Sequence, residues 1–352
     1  MSATHLVGTR LPEGDDFEAW IDDGRLRFTP VAGAEDLVPS GGFVLPGLVD
    51  AHSHPTMDFS ERGLRGGSAE LVAANLLDHL RSGELLVREI GSVVDAWTLP
   101  QGAAVPRYQR AGQILAPAGK YFDITESTTE PEEAVAVAIA QADAGVDWVK
   151  LIMDWPGARG LALNYPPEIL AEVVRVVHER GARVGVHAVS REAISVGVAA
   201  GVDSVEHGSF ADESDLQLMA ERNIALVPTL AFLEGFAVRS AGTLLGDTVA
   251  ASLENAPFAL RTALRLGVPV LAGTDALPFG SVPLEVAALQ RHGMEPAAAL
   301  AAATTTARAF LGEPALDEGA PADLVVYRED PRNDPEVLSR PEAVVFGGER
   351  IR

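Results

Sequence analysis

The residues best placed to do chemistry begin with two histidines, His52 and His54, in the segment GLVDAHSHP at 47–55. Leu48 and Val49 ahead of them read as an apolar strand, and residues i and i+2 of a strand point to the same side. Two imidazoles held side by side can grip one metal ion, although the spacing alone also fits two ordinary strand-end histidines. Four further side chains recur at or near the ends of later strand-like runs: Lys150 in DWVKLI, His187 ending VGVH, His207 ending SVEH, and Asp275 after the run 268–272. Each has a bland explanation by itself. Lys150 could be a lysine lifting its charge out of a strand end, His187 a hydrogen-bonded core histidine, and Asp275 a helix N-cap. Their joint recurrence argues for one metal centre. The chain contains no cysteine, so a metal must be held by imidazole and oxygen ligands.

Such a centre needs strands whose ends meet. After the run at 48–49, apolar strand-like runs recur at 85–90, 113–116, 148–152, 184–187, 204–207, 224–227 and 268–272. Helical stretches separate them: 70–80 by periodicity, 131–144 opened by Pro131 and stopped by Gly145, 167–180 stopped at Gly181, and others ending near Gly201 and Gly267. Two more are expected at 283–291 and 296–310. Strand and helix alternating eight times predicts an α/β fold, a parallel (β/α)8 barrel over residues 44–316. Functional residues of such barrels gather at the C-terminal strand ends, which would bring the candidate ligands to one mouth. An open doubly wound sheet fits less well, because no glycine-rich phosphate turn follows the first strand.

The ends of the chain read differently. Residues 17–21 and 25–28 alternate as a hairpin about an Asp-Asp-Gly turn, and 322–327 and 343–346 are strands without intervening helices. Residues 1–43 and 317–352 are therefore expected to form one small β-sandwich domain built from both termini.

A chain of 352 residues with 47% hydrophobic content can bury a large core. No apolar run approaches the roughly 20 residues that span a bilayer, and no basic-then-apolar leader opens the sequence, so a cytoplasmic protein without a membrane partner is expected. A net charge of −23 excludes nucleic acid as a partner, since phosphate binding needs a basic surface. The acidity fits a solvated, soluble surface better than steering of cationic substrates; a homo-oligomer remains open. His5, His79, His178 and His292 fall at the terminus or on helices and are expected to face solvent. Arg62, Arg65, Tyr121, Trp155 and Tyr165 fall on expected loops after the first, third and fourth strands and are candidate substrate contacts. The stretch 231–256 is expected to be a pocket loop or lid, with Phe232, Phe236 and the nearby Phe258 either apolar substrate contacts or, the better fit, packing of the lid.

The ordered set GLVDAHSHP, DWVKLIMDWPG, GVHAVSREAI, DSVEHGSF, LVPTL and LAGTDA, with GAPADLVVYREDP near the C-terminus, resembles the amidohydrolase superfamily over nearly the whole chain. The segment LLVREIGS is similar to the second strand of its imidazolonepropionase-like and prolidase-like branch. The resemblance implies two zinc ions per chain. His52, His54 and Asp275 would hold the first and His187 and His207 the second, with Lys150, carboxylated by CO2, bridging them. A carbamate makes chemical sense there, because an ammonium cannot ligate a metal whereas its carbamate is an anionic two-oxygen ligand. Asp275 would be the catalytic residue, orienting a hydroxide, accepting its proton and passing it to the leaving nitrogen. The implied reaction is hydrolysis of an amide-type C–N bond in a small-molecule substrate: a dipeptide, N-acyl amino acid or cyclic amide. Prolidase-like relatives usually carry a tyrosine or histidine two residues after the fifth-strand ligand; here Val189 stands there and cannot donate a hydrogen bond. A mononuclear enzyme that opens or deaminates a heterocycle is the competing reading. A non-catalytic homologue fits poorly with a complete ligand set.

Overall fold

Short runs of β-branched and aliphatic residues, bounded by helix stop signals, become strands buried on both faces, as parallel strands covered by helices should be. The computed structural model describes all residues except 1–2, 39–41, 60–64, 94–103, 123–127, 158–159 and 276. One three-stranded parallel sheet runs Arg107–Gln109, Glu84–Glu89, Leu48–Ser53. A four-stranded parallel sheet runs Trp148–Ile152, Arg183–Ala188, Ser204–His207, Ala225–Val227. Isolated parallel bridges Ala111↔Trp148 and Leu115↔Leu151 join the two sheets on one side. On the other side Leu226 bridges Val270, and residues 272–275 reach the first strand through Ala51 N–H to Ala272 O (2.9 Å) and Asp275 N–H to His52 O (2.8 Å).

The helices begin and end where their caps dictate. Ser68 accepts from Leu71 N–H ahead of Ala69–Ser82, and Gly83 ends that helix at φ 91°. Ser190 and Gly201 do the same for Arg191–Ala200, and Asp212 with Asp215 forms a capping box on Glu213–Arg222. The apolar faces of these helices and the outer faces of the strands make one continuous core that includes Leu48, Leu80, Val149, Val173, Val186 and Leu260. A smaller cluster, with Val49, Leu86, Ile90, Trp148, Val227 and Leu271, packs among the strands themselves.

Both chain ends share one eight-stranded sheet, ordered Glu349–Arg350, Ala343–Phe346, Leu324–Tyr327, Phe43–Pro46, Thr4–Arg10, Asp15–Asp22, Arg25–Arg27, with Glu35–Asp36 paired to Thr4–Arg10. The expected hairpin is its Asp15–Asp22 and Arg25–Arg27 pair. The described strands form this one sheet where a sandwich of two layers was expected. Its apolar cluster, with Leu6, Phe17, Leu26, Val44, Leu324 and Val345, is separate from the main core.

Three expectations need correction. The third and eighth runs, 113–116 and 268–272, are extended segments held by isolated bridges; Pro269 has no N–H to give a ladder, and the third strand proper lies earlier, at Arg107–Gln109. The expected lid at 231–256 is helical, within Leu230–Arg239 and Leu244–Leu266. Buried Glu285 anchors the first of these, accepting from Leu230 N–H (2.9 Å) and Ala231 N–H (2.8 Å), and burial pushes its carboxyl up to about 8. The helix expected at 296–310 is broken into Pro296–Ala302 and Thr305–Leu311. Among the described residues, no helix is long and apolar enough to cross a membrane.

Candidate metal centre

Strand alternation carries His52 and His54 to one side, and the loop after residue 272 swings Asp275 onto them. Asp275 Oδ1 lies 3.5 Å from His52 Nε2 and 3.3 Å from His54 Nε2. Ligand atoms of these three residues lie within 4.8 Å of one another, a geometry able to hold a metal ion. The neighbouring strands bring up the other histidines. The His207 ring centroid is 5.5 Å from that of His52 and 4.5 Å from that of His187. Lys150 stands among them on Trp148–Ile152, 2% exposed.

Each imidazole on the first and sixth strands is aimed by a partner on its other nitrogen. His52 Nδ1 meets Glu206 Oε2 at 2.7 Å, His54 Nδ1 meets the carbonyl of Gly91 at 2.7 Å, and His207 Nδ1 meets Thr229 Oγ1 at 2.7 Å. This arrangement fixes ring orientation and leaves the opposite nitrogens free for a cation. Burial lowers the pKa of His52, His187 and His207 well below the usual imidazole value, so they are neutral and able to ligate. For His54 burial also opposes protonation, but the hydrogen bond and charge of Asp275 outweigh it and raise the pKa. A proton shared by that pair occupies a place a metal cation would take.

At the centre itself, Lys150 Nζ and His187 Nε2 are buried with no hydrogen-bond partner among the described residues. Burial brings Lys150 down to about 8. Orphaned polar atoms are costly in a dry interior and call for an explanation. A metal ion held by the histidines would account for His187 Nε2, and a carbamate on Lys150 facing that ion would account for Nζ, so the donor set fits a metal. Gly91, at φ 118°, makes room for this arrangement, since a Cβ there would sit 3.3 Å from Lys150 Cγ and 2.5 Å from Ile114. Three non-glycine residues of the centre, His207 (φ 69°), Thr229 (φ 49°) and Asp275 (φ 48°), adopt left-handed backbone conformations. Such strain costs about 1–3 kcal/mol each and gathers where function requires it.

Behind the centre lies a charged layer that the sequence reading missed. Arg88 Nη2 donates to both Glu206 oxygens at 3.0 Å, Arg88 Nη1 to Ser204 Oγ at 2.9 Å, and the Arg88 guanidinium lies 4.5 Å from the Trp148 ring centroid. Asp50 accepts from the backbone N–H groups of His52 (3.1 Å) and Thr274 (3.0 Å), tying the first strand to the segment bearing Asp275. Asp154 accepts from Val189 N–H (3.2 Å) and Ser190 N–H (2.5 Å), with an oxygen 3.8 Å from His187 Nε2. The available signal was charge on strands otherwise made of apolar residues. Glu206→Ala would leave the Arg88 charge buried without a partner. A loss of about 3–5 kcal/mol is expected in chemical denaturation, with metal held about 10–100-fold more weakly in a chelator competition.

Some expected positions fall elsewhere. His79 is fully buried, not solvent-facing: its Nδ1 meets Glu84 and its Nε2 lies 3.1 Å from Ser53 Oγ. With Asp50 and Glu84 it forms a second cluster with metal-binding spacing, already engaged by internal hydrogen bonds. His5 and His292 are largely covered, at 23% and 14% side-chain exposure, and both pair with carboxylates. Tyr165 is a core residue, 0% exposed, donating to Thr129 O at 2.8 Å, and is not available as a substrate contact. Tyr121 and Trp155 do reach the centre, their ring centroids 5.9 and 6.1 Å from that of His187. Arg65 lies exposed in a two-residue strand, and Arg62 lies outside the described residues.

Two hollows open on Asp275. One is walled by Tyr121, Phe122, Trp155, Phe232, Phe236 and Val249. The other, of about 400 Å³, is walled by Phe59, Arg239, Thr274, Ser281 and Leu284 and shares Phe232 with the first.

Comparison with known proteins places the chain in a family. An uncharacterized protein of Mycobacterium tuberculosis is 38% identical, over 98% of this chain and 94% of that one. An ochratoxinase of Aspergillus niger is 33% identical over 190 residues, 51% of this chain and 40% of that protein. The crystal structure of a Xaa-Pro dipeptidase with bound methionine in its active site superposes with a TM-score of 0.86, at 23% identity and full coverage of both chains, which attests the shared fold. The model of the Amidohydrolase family matches residues 43–351. The chain belongs to the amidohydrolase family, and it is a hydrolase acting on carbon–nitrogen bonds.

Proposed function

We propose that this chain is a metal-dependent hydrolase of small amides, working at the mouth of a closed (β/α)8 barrel. The observation that carries the reading is the meeting of His52, His54 and Asp275 beside a buried Lys150 and two neutral histidines, His187 and His207. Barrel closure is supported by the hydrogen bonds that link residues 270–275 both to Leu226 and to the strand of His52. His52, His54 and Asp275 would hold one zinc and His187 and His207 a second, with Lys150, as a carbamate, between them. Zinc suits ligands drawn only from imidazole and oxygen. When bound, the metals supply Lewis acidity toward the scissile carbonyl and toward water.

The chain's own residues do the rest. Burial opposes ionisation of Asp275, but the charges and hydrogen bond of His52 and His54 outweigh it and hold the carboxyl below its usual value. As a carboxylate, Asp275 takes the proton of the attacking water and returns it to the leaving nitrogen. Tyr121 and Trp155 exclude water from one flank. The likeness to ochratoxinase supports an amide bond as the target. Val189 in place of a donor counts against a simple transfer of dipeptidase habits.

One observation favours a mononuclear centre: among the described residues the compact ligand triad at this mouth consists of His52, His54 and Asp275 alone. Elemental analysis of protein produced with excess zinc and bicarbonate separates the two readings. About two metals per chain are expected for a paired site. A persistent value near one, with deamination of heterocycles but no amide hydrolysis, would establish the mononuclear centre in place of the paired one.

A further inference from the structure

Thr229 stands at the N-cap of Leu230–Arg239, yet its side chain does not cap that helix. Ser68, Ser190, Asp212 and Thr243, at the N-caps of other helices, each accept a backbone N–H from the first turn that follows them. The Thr229 hydroxyl is turned the other way. It is 0% exposed, donates to the Pro228 carbonyl at 2.8 Å and lies 2.7 Å from His207 Nδ1. A hydroxyl has one proton to give. With that proton on the Pro228 carbonyl, the oxygen can only accept from His207. His207 Nδ1 therefore carries the ring proton, and Nε2 keeps its lone pair for a cation.

The first turn of Leu230–Arg239 is capped from outside. Glu285, 0% exposed on Val282–Arg291, accepts from Leu230 N–H with Oε1 at 2.9 Å and from Ala231 N–H with Oε2 at 2.8 Å. These are the two N–H groups that directly follow Thr229. Val282–Arg291 is itself seated on the strand Glu84–Glu89, where Val282 N–H donates to Glu84 Oε1 at 2.8 Å. Burying a carboxylate is costly, and joining the two helices does not require it. Glu234 already joins them nearer the surface, 2.6 Å from Arg291 Nη2 and 3.0 Å from His292 Nε2. What the buried carboxylate adds is a helix that starts without help from its own N-cap side chain.

Resting on the reading above that His207 is a metal ligand, we propose that Glu285 is a positioning residue for the metal centre. It takes over the capping of Leu230–Arg239 and so releases the Thr229 hydroxyl to orient His207 and fix its tautomer. Without Glu285, the N–H groups of Leu230 and Ala231 lose their acceptor. The Thr229 hydroxyl is then drawn to the usual place of an N-cap, on its own first turn, and His207 loses its guide.

The test reads zinc affinity by chelator competition on the zinc-loaded full chain, with melting temperature measured on the same samples. Thr229→Val removes the hydroxyl and keeps the shape; Glu285→Gln removes one of the two accepting oxygens. Each is expected to weaken zinc binding about 10–100-fold, the usual cost of losing an outer hydrogen-bond partner. Because both act through one hydroxyl, the double variant should bind zinc within about threefold of Thr229→Val alone. Glu234→Gln, which loosens the same helix pair elsewhere, should lower the melting temperature and leave zinc affinity unchanged. Wild-type zinc affinity in Glu285→Gln, or losses that multiply in the double variant, overturns the proposal. Equal zinc loss in Glu234→Gln also overturns it, by making helix docking in general the cause. Should Glu285→Gln fail to fold, Glu285→Asp, whose shorter side chain reaches the two N–H groups less well, is judged by the same criteria. His207→Ala is the reference. If it releases zinc and Glu285→Gln does not, the proposal alone fails; if it holds zinc like the wild type, the reading of His207 as a ligand fails and the proposal with it.

Discussion

Asp275→Asn is expected to lower kcat by about 10²–10⁴-fold, the usual contribution of a positioned acid–base group, while metal content stays near that of the wild type. The substitution is a clean probe for a structural reason. Asp275 sits at φ 48°, a left-handed conformation that asparagine adopts readily, so the backbone need not move. Asparagine also retains a carbonyl oxygen toward His52 and His54 but can accept no proton. The alternative that Asp275 merely caps the next helix is already excluded by position, since the N-cap of Val282–Arg291 is Ser281. A cap would have cost only about 0.5–2 kcal/mol of stability with turnover unchanged. Parallel measurement of kcat, metal content and melting temperature decides the matter. Normal kcat on a good amide substrate would remove Asp275 from the mechanism and most of the functional reading with it.

Lys150→Ala should lose metal and activity together. Lys150 Nζ is buried without a hydrogen-bond partner at the meeting point of the histidines, and a carbamate there would be a direct ligand. Its removal is expected to weaken metal retention by more than the roughly 10–100-fold that losing an outer hydrogen-bond partner costs. Acetate or propionate should restore part of both metal content and rate by supplying the missing oxygens in the vacated space. Full metal content in Lys150→Ala would remove the bridging role. Metal loss that no small acid reverses would leave Lys150 as a packing residue.

Much of this was legible in the sequence because local signals and global fold agree over most of the chain. The strands Trp148–Ile152 and Ser204–His207 have the boundaries their residues suggest, each entered soon after a helix-stopping glycine, Gly145 and Gly201. The candidate ligands were legible for the same reason, since histidines ending apolar runs and a lysine inside one have few other uses in combination. What failed did so where tertiary contacts overrule local pattern. The run 268–272 reads as a strand, but Pro269 cannot complete a ladder and Gly273 lies against the first strand, where a Cβ would meet His52 Cβ at 2.5 Å. His79 was misplaced by its residue type. It shares the buried face of Ala69–Ser82 with Val72, Leu76 and Leu80, a periodic signal that was present. Arg88, Asp50 and Glu206 escaped because a buried charge is legible only once its partner across the fold is known, and 118 positions separate Arg88 from Glu206.

The sheet shared by the chain ends has a bearing on biosynthesis. Phe43–Pro46, the segment that leads into the strand of His52 and His54, lies between Thr4–Arg10 and Leu324–Tyr327, with Val44 opposite Val326. Its second neighbour leaves the ribosome only after nearly the whole interior of the chain has been made. At about 5–20 residues per second that interval is roughly a quarter of a minute to a minute. During it, Val44 and Leu45 present an unpaired, apolar edge, the kind of edge that invites pairing with other chains. The nascent protein should therefore depend on chaperones for this strand above all. In a ribosome-stalled series, protection of residues 43–46 from protease should switch on only once the segment Leu324–Tyr327 has cleared the exit tunnel.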